Sequence, residues 1–144
     1  MIKVAPADLD RVFHETTYEG LTWLSSRVCA TEAFDTSDPT YGLSQPIFVL
    51  VEGLAWFAQS IRSGSATYFE ATPIERQKLM VRALEEEGAP DPFAVKYMLG
   101  VTGWRDTTKA AELDSWIDLN DEANTVYLWR LARAHRQEIE ALAL

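Results

Sequence analysis

Apolar residues recur along this chain at the three- and four-residue spacing of helices, and no convincing strand pair interrupts the pattern. Between residues 7 and 31, Leu21, Leu24 and Val28 fall on one helical face with Asp8 or Asp10 placed as a cap, which predicts one or two helices. From Glu32 to Gly42 the string Asp35-Thr36-Ser37-Asp38-Pro39-Thr40-Tyr41-Gly42 collects side chains that compete with the backbone for hydrogen bonds, and reads as a loop. Ser44 then offers a cap before Pro46, and Ile47, Leu50, Val51, Leu54, Phe57 and Ile61 repeat at helical intervals. This stretch is apolar on nearly every side, which predicts a central helix surrounded by others. Ile47 to Val51 alone would also suit a buried strand, but the length favours a helix.

Ser60 to Ser65 breaks the pattern, with Gly64 free to take the φ > 0 conformation of a C-terminal cap. Thr72-Pro73-Ile74-Glu75 then reads as a capping box with Pro at the first helical position, and Gly88 stands just past Glu87. A helix over 73–87 follows, burying Ile74, Gln77, Met80, Val81 and Leu84 and pointing Glu85 and Glu86 away. Asp91-Pro92 opens another helix ending near Gly100, and Gly103-Trp104-Arg105-Asp106 reads as a turn. The last third is helical, with a final helix from about Asp121 to Leu142 carrying the stripe Leu128, Leu131, Ala132, His135, Ile139 and Leu142. There is no internal repeat and no low-complexity tract. The expected fold is all-α: one compact multi-helix domain over residues 1–144 around a central apolar helix.

Composition fits one globular domain with a single core, since 47% of the 144 residues are apolar and 11% aromatic. Charge adds more. Twenty-two acidic side chains against 13 basic give a formal charge of −9 and a pI near 4.6. The acidic surplus is four in residues 1–50, two in 51–100 and three in 101–144, so it belongs to the folded surface and not to a tail. Such a surface repels nucleic acid phosphates and anionic membranes, so neither direct nucleic acid binding nor membrane attachment is expected. The longest apolar run, Pro46 to Ala58, is interrupted by Glu52 and Gly53 and is shorter than the ~20 residues that span a bilayer. Cys29 is the one cysteine, and Met1 to Pro6 lack the apolar region of a secretory signal, which predicts a cytoplasmic location.

Candidate chemistry is thin. Two histidines and one cysteine cannot build a structural zinc site, and His135 with Glu138 reverses the Glu-x-x-His order of di-iron bundles without a second copy. No phosphate loop, hydrolase elbow or dinucleotide fingerprint is present. The sequence thus predicts no enzyme, no metal and no cofactor. Glu52 is the most interesting single acid, because helical geometry places it between Phe48 and Trp56. A desolvated carboxyl there would suit a general acid. More often a residue so placed caps a neighbouring loop or pairs with an arginine. Arg130, Arg133 and Arg136 form the one basic cluster and are expected to make surface ion pairs with Glu138 and Glu140.

The acidic spacing is more suggestive. If residues 109–123 form one helix, Asp114, Asp118 and Glu122 line up about 6 Å apart, close to the separation of phosphates on one DNA strand. A row of that kind would attract a basic, nucleic-acid-binding protein. Asp114, Asp118 and Glu122, together with Asp121, Glu85 and Glu86, are therefore the candidate partner-binding residues.

A resemblance strengthens this expectation. The residues concerned are Trp56, Ile61-Arg62-Ser63-Gly64-Ser65, Tyr68-Phe69 and Ala83-Leu84-Glu85-Glu86-Glu87-Gly88-Ala89, followed by Leu113-Asp114 and a long closing helix. In this order they resemble the DNA-mimic protein family, also catalogued as a domain of unknown function, over roughly residues 46–141. The family's usual Asn-Asn-Gly-Gly-Phe is replaced here by Arg62-Ser63-Gly64-Ser65-Ala66, and the alignment drops one residue. The resemblance implies an acidic all-α protein, in some cases a homodimer, that presents DNA-like negative charge to a DNA-binding protein. Asp114 lies on a position matching the family pattern.

Three functional expectations result. The first is an inhibitor or regulator that occupies the basic face of a DNA- or RNA-binding protein such as a regulator, nuclease or defence protein. The second is an immunity or antitoxin-like protein that masks a toxin or effector. The third is a small enzyme or ligand carrier built on Glu52, with a pocket at the Phe48/Trp56 face.

Overall fold

Local chemistry sets most helix ends in the computed structural model, which describes residues 4–144. Pro6 opens α1 (Pro6–Glu15), and Thr16, in left-handed backbone at φ 54°, ends it. The cap position of α1 is Ala5, so neither Asp8 nor Asp10 serves as the cap. Thr17 caps α2 (Tyr18–Cys29) by accepting the Gly20 N–H at 3.0 Å. Pro46 sits in the first turn of α3 (Gln45–Ser63), and Gly64 at φ 91° ends it. Ser44 holds the cap position of α3, but its hydroxyl donates to Glu138 and accepts no N–H of its own helix.

The chain continues through α4 (Ser65–Ala71), α5 (Ile74–Glu86), α6 (Asp91–Gly103), α7 (Thr107–Leu119), α8 (Asp121–Ala134) and α9 (Arg136–Ala143). Every regular element among the described residues is a helix, so the fold is all-α. The capping box expected at α5 does not form, because Pro73 occupies the cap position and the Thr72 hydroxyl donates back to the Tyr68 carbonyl at 2.6 Å. Gln77 ties this entry down instead, its amide donating to the carbonyls of Phe69 at 2.8 Å and Thr72 at 2.9 Å. Met80 and Leu84 are buried as expected, whereas Ile74, in the outermost turn, is 56% exposed. Ile61 is likewise 58% exposed, because the last turn of α3 projects past the core with Arg62 and Ser63.

Two breaks run against the periodic pattern. Asn120 (φ −121°, ψ 17°) separates α7 from α8, and His135 (φ −119°, ψ 26°) separates α8 from α9. Residues 109–123 are therefore not one helix, and neither are residues 121–142. At Asn120 the side chain donates to the Trp116 carbonyl at 2.8 Å, the local competition with helix bonds that makes Asn a terminator.

Helix α3 packs against α2, α4, α5, α7 and α8, and eleven of its residues are buried, which encloses a helix that is apolar almost all round. Its Trp56 lies at the middle of an aromatic cluster, with ring centroids of Phe57, Phe93, Tyr97 and Trp116 between 5.1 and 6.0 Å away. Gly100 does not end α6. It lets α4 approach, since a Cβ there would sit far inside the van der Waals surface of the Phe69 ring. Among the described residues no helix is long and apolar enough to cross a membrane.

Candidate functional site

Asp106 fixes the start of α7, its carboxylate accepting the N–H groups of Thr108 at 2.9 Å and Lys109 at 3.1 Å. From that start the helix turns Leu113 and Ile117 into the core and leaves Glu112, Ser115, Asp118 and Leu119 on the surface. The break at Asn120 then folds α8 away. Asp118 lies on one side of this elbow and Asp121 and Glu122 on the other, all exposed. Between them stands Leu119, 83% exposed.

The row of three carboxylates along one axis is thus replaced by a cluster around a bend. Asp114 is not part of its open surface. It is half-buried, and its carboxylate accepts the Ser65 N–H at the start of α4 at 2.7 Å. Glu85 and Glu86 are exposed near the end of α5, where Glu85 borders a separate groove with Asp91 and Met98. Ion pairs among the described residues join Arg11 to Glu15 and Arg136 to Asp10 and Glu140. None involves Asp118, Asp121 or Glu122. Of the three arginines expected to pair, Arg136 alone does so, and Glu138 is taken by Ser44.

Two grooves flank the elbow and share Leu119 and Asn120 as a common wall. One, of about 620 Å³, runs along α7 past Ala111 and Trp116. The other, of about 530 Å³, runs along α8 past Ala123, Val126 and Tyr127 to Pro90. Tyr127 is itself 7% exposed, and its hydroxyl has no hydrogen-bond partner among the described residues. Burial, followed by the negative field of Glu87, pushes that phenol up to about 12.

Glu52 is 1% exposed, and of the structural roles expected of it the hold on a neighbouring loop forms, through Tyr41, while the arginine pair does not. Tyr41 donates to one carboxyl oxygen at 2.5 Å and Tyr68 donates to the other, while the Tyr68 and Tyr97 hydroxyls meet at 2.8 Å. The partners are phenols and not an arginine. Burial raises all three phenols, and the charge of Glu52 raises them further. Tyr41 reaches the carboxyl from left-handed backbone at φ 59°, stacked on Phe34 with centroids 4.7 Å apart and covered by the Arg76 guanidinium at 4.1 Å. Arg76 also donates to the carbonyls of Pro39, Thr36 and Asp38 at 2.9 to 3.2 Å, which holds the loop in place. Phe48 and Trp56 have no exposed surface, so there is no opening at their face. A groove of about 350 Å³ lies on the Tyr41 side instead, with Cys29 and Leu54 in its wall.

Sequence reasoning missed Leu119 and Tyr127 at the elbow and all three tyrosines around Glu52. The available signal at the elbow was a leucine set in the polar run Asp118 to Glu122, off any buried stripe. Family models, curated proteins and solved structures offer no match to this chain.

Proposed function

We propose that this chain is an acidic protein-binding module that inhibits or regulates a nucleic-acid-binding protein by occupying its basic face. One observation carries the reading. Asp118, Asp121 and Glu122 are exposed within five consecutive positions, and among the described residues none is neutralised by an ion pair. Charges left without a partner at one place keep their attraction for an approaching cation and add to the steering that a net charge of −9 exerts. The resemblance to DNA-mimic proteins supports the same reading. The likeness to DNA is one of charge density, because Asp114 is tied to Ser65 and the bend at Asn120 removes the phosphate-like row.

The test uses a basic partner captured from native cell extract. Its affinity falls steeply with added NaCl and weakens when Asp118→Asn, Asp121→Asn and Glu122→Gln are combined. A flat salt response, or full affinity in the combined variant, overturns the proposal. A second reading, the masking of a toxin or effector through shape and apolar contact, is favoured by Leu119 at the centre of the same face.

A further inference from the structure

We infer that the α7–α8 elbow receives an amphipathic, basic helix of a partner protein, with Leu119 as the apolar centre of the contact. The inference rests on the acidic face being a protein-binding face, and adds the form of what binds there. Among the described residues Leu119 is the most exposed of the large hydrophobic ones at 83%, against 58% for the next, Ile61. A leucine so placed adds little to the core. It does offer an apolar contact that charge mimicry alone has no use for.

The two grooves supply the rest. Each has Leu119 as one wall, with Ala111 and Trp116 in the first and Ala123 and Val126 in the second. Side chains three or four positions apart on a helix are separated by about 5–6 Å, so two of them can straddle one leucine and seat in the hollows beside it. The rim is acidic, with Glu112 on the first groove, Glu122 on the second and Asp118 and Asp121 at the bend, against Arg130 as the basic residue lining the second. A second copy of this chain would bring these carboxylates against themselves. Lysine and arginine on the polar flanks of an apolar helix face would complement them.

Tyr127 points to an occupant independently of charge. Tyr127 lines the second groove, its buried hydroxyl has no partner among the described residues, and a polar side chain of the bound helix would accept from it.

The experiment titrates the isotope-labelled protein with an amphipathic helical peptide of lysine and leucine, beside a charge-matched lysine and serine peptide, and follows backbone amide shifts. The inference expects shifts centred on residues 111–130 for the amphipathic peptide. Leu119→Ser weakens that peptide about tenfold or more while leaving the lysine and serine peptide unchanged. Equal affinity of wild type and Leu119→Ser for the amphipathic peptide, shifts centred elsewhere, or self-association through Leu119 overturns it. If the charge-matched peptide binds and loses affinity on neutralising Asp118, Asp121 and Glu122 while Leu119→Ser leaves the amphipathic peptide unweakened, the acidic reading stands and this inference fails. If neither peptide responds to that neutralisation, both fail.

Discussion

The Ser65 backbone N–H donates to the Asp114 carboxylate at 2.7 Å, tying the start of α4 to the middle of α7 across 49 positions of sequence. Asp114 thereby does for α4 what a capping side chain normally does from within its own helix. Asp114→Ala is expected to lower stability by about 1 kcal/mol, the usual size of a lost cap. Asp118→Ala, at an exposed position, should stay within about 0.5 kcal/mol of the parent. Urea denaturation of the two variants separates them, and equal losses would contradict the assignment.

Tyr68 provides one of the two donors to Glu52 and the hydroxyl that Tyr97 contacts. Tyr68→Phe therefore strips two buried groups of a partner at once, and a loss of roughly 1–3 kcal/mol is expected. Tyr41→Phe removes the other donor, so the double variant should depart from additivity by more than about 0.5 kcal/mol. Strict additivity would mean that the two phenols do not share the carboxyl.

Gly100→Ala sets helix propensity against sterics. Alanine would favour the helix by about 1 kcal/mol, but its methyl would enter the space of the buried Phe69 ring. Overpacking at such a site costs about 1–3 kcal/mol, so a net loss is expected in thermal unfolding. Gly88→Ala is the contrast. Nothing lies within 4 Å of its would-be methyl, and its cost of about 1–2 kcal/mol comes from φ 66° alone.

All five tyrosines have phenols raised above their ordinary value of about 10, with burial as the largest cause in each. In the unfolded chain they ionise near pH 10, so above that pH the unfolded state loses protons that the native state keeps. The stability they supply is complete below pH 10 and is lost as pH climbs toward the folded values, by about 1.4 kcal/mol per pH unit for each phenol held fully neutral. Phenolate absorbance should lag behind free tyrosine and rise together with loss of helical circular dichroism. A folded protein whose phenols titrate near pH 10 would refute this.

The helix ends that the sequence made legible are those where proline or glycine acts through backbone geometry, as at Pro46, Gly64 and Pro92. Asn120 and His135 escaped notice because the apolar period runs on through both, and neither residue forbids a helix. The break at Asn120 puts a bend around Leu119 where the period predicts a straight row of carboxylates. Burial of Glu52 was legible from Phe48 and Trp56 on its own helix. Its partners were not, because Tyr41, Tyr68 and Tyr97 lie on a loop and two other helices, and nothing in local spacing joins them.

The loop between α2 and α3 has its own lesson. One guanidinium gathers three of its carbonyls and lies over Tyr41, whose hydroxyl reaches Glu52. Local opening above the buried acid therefore has to break a tie to α5 as well as the loop's own bonds, such as the Asp35 N–H to the Tyr41 carbonyl at 2.9 Å.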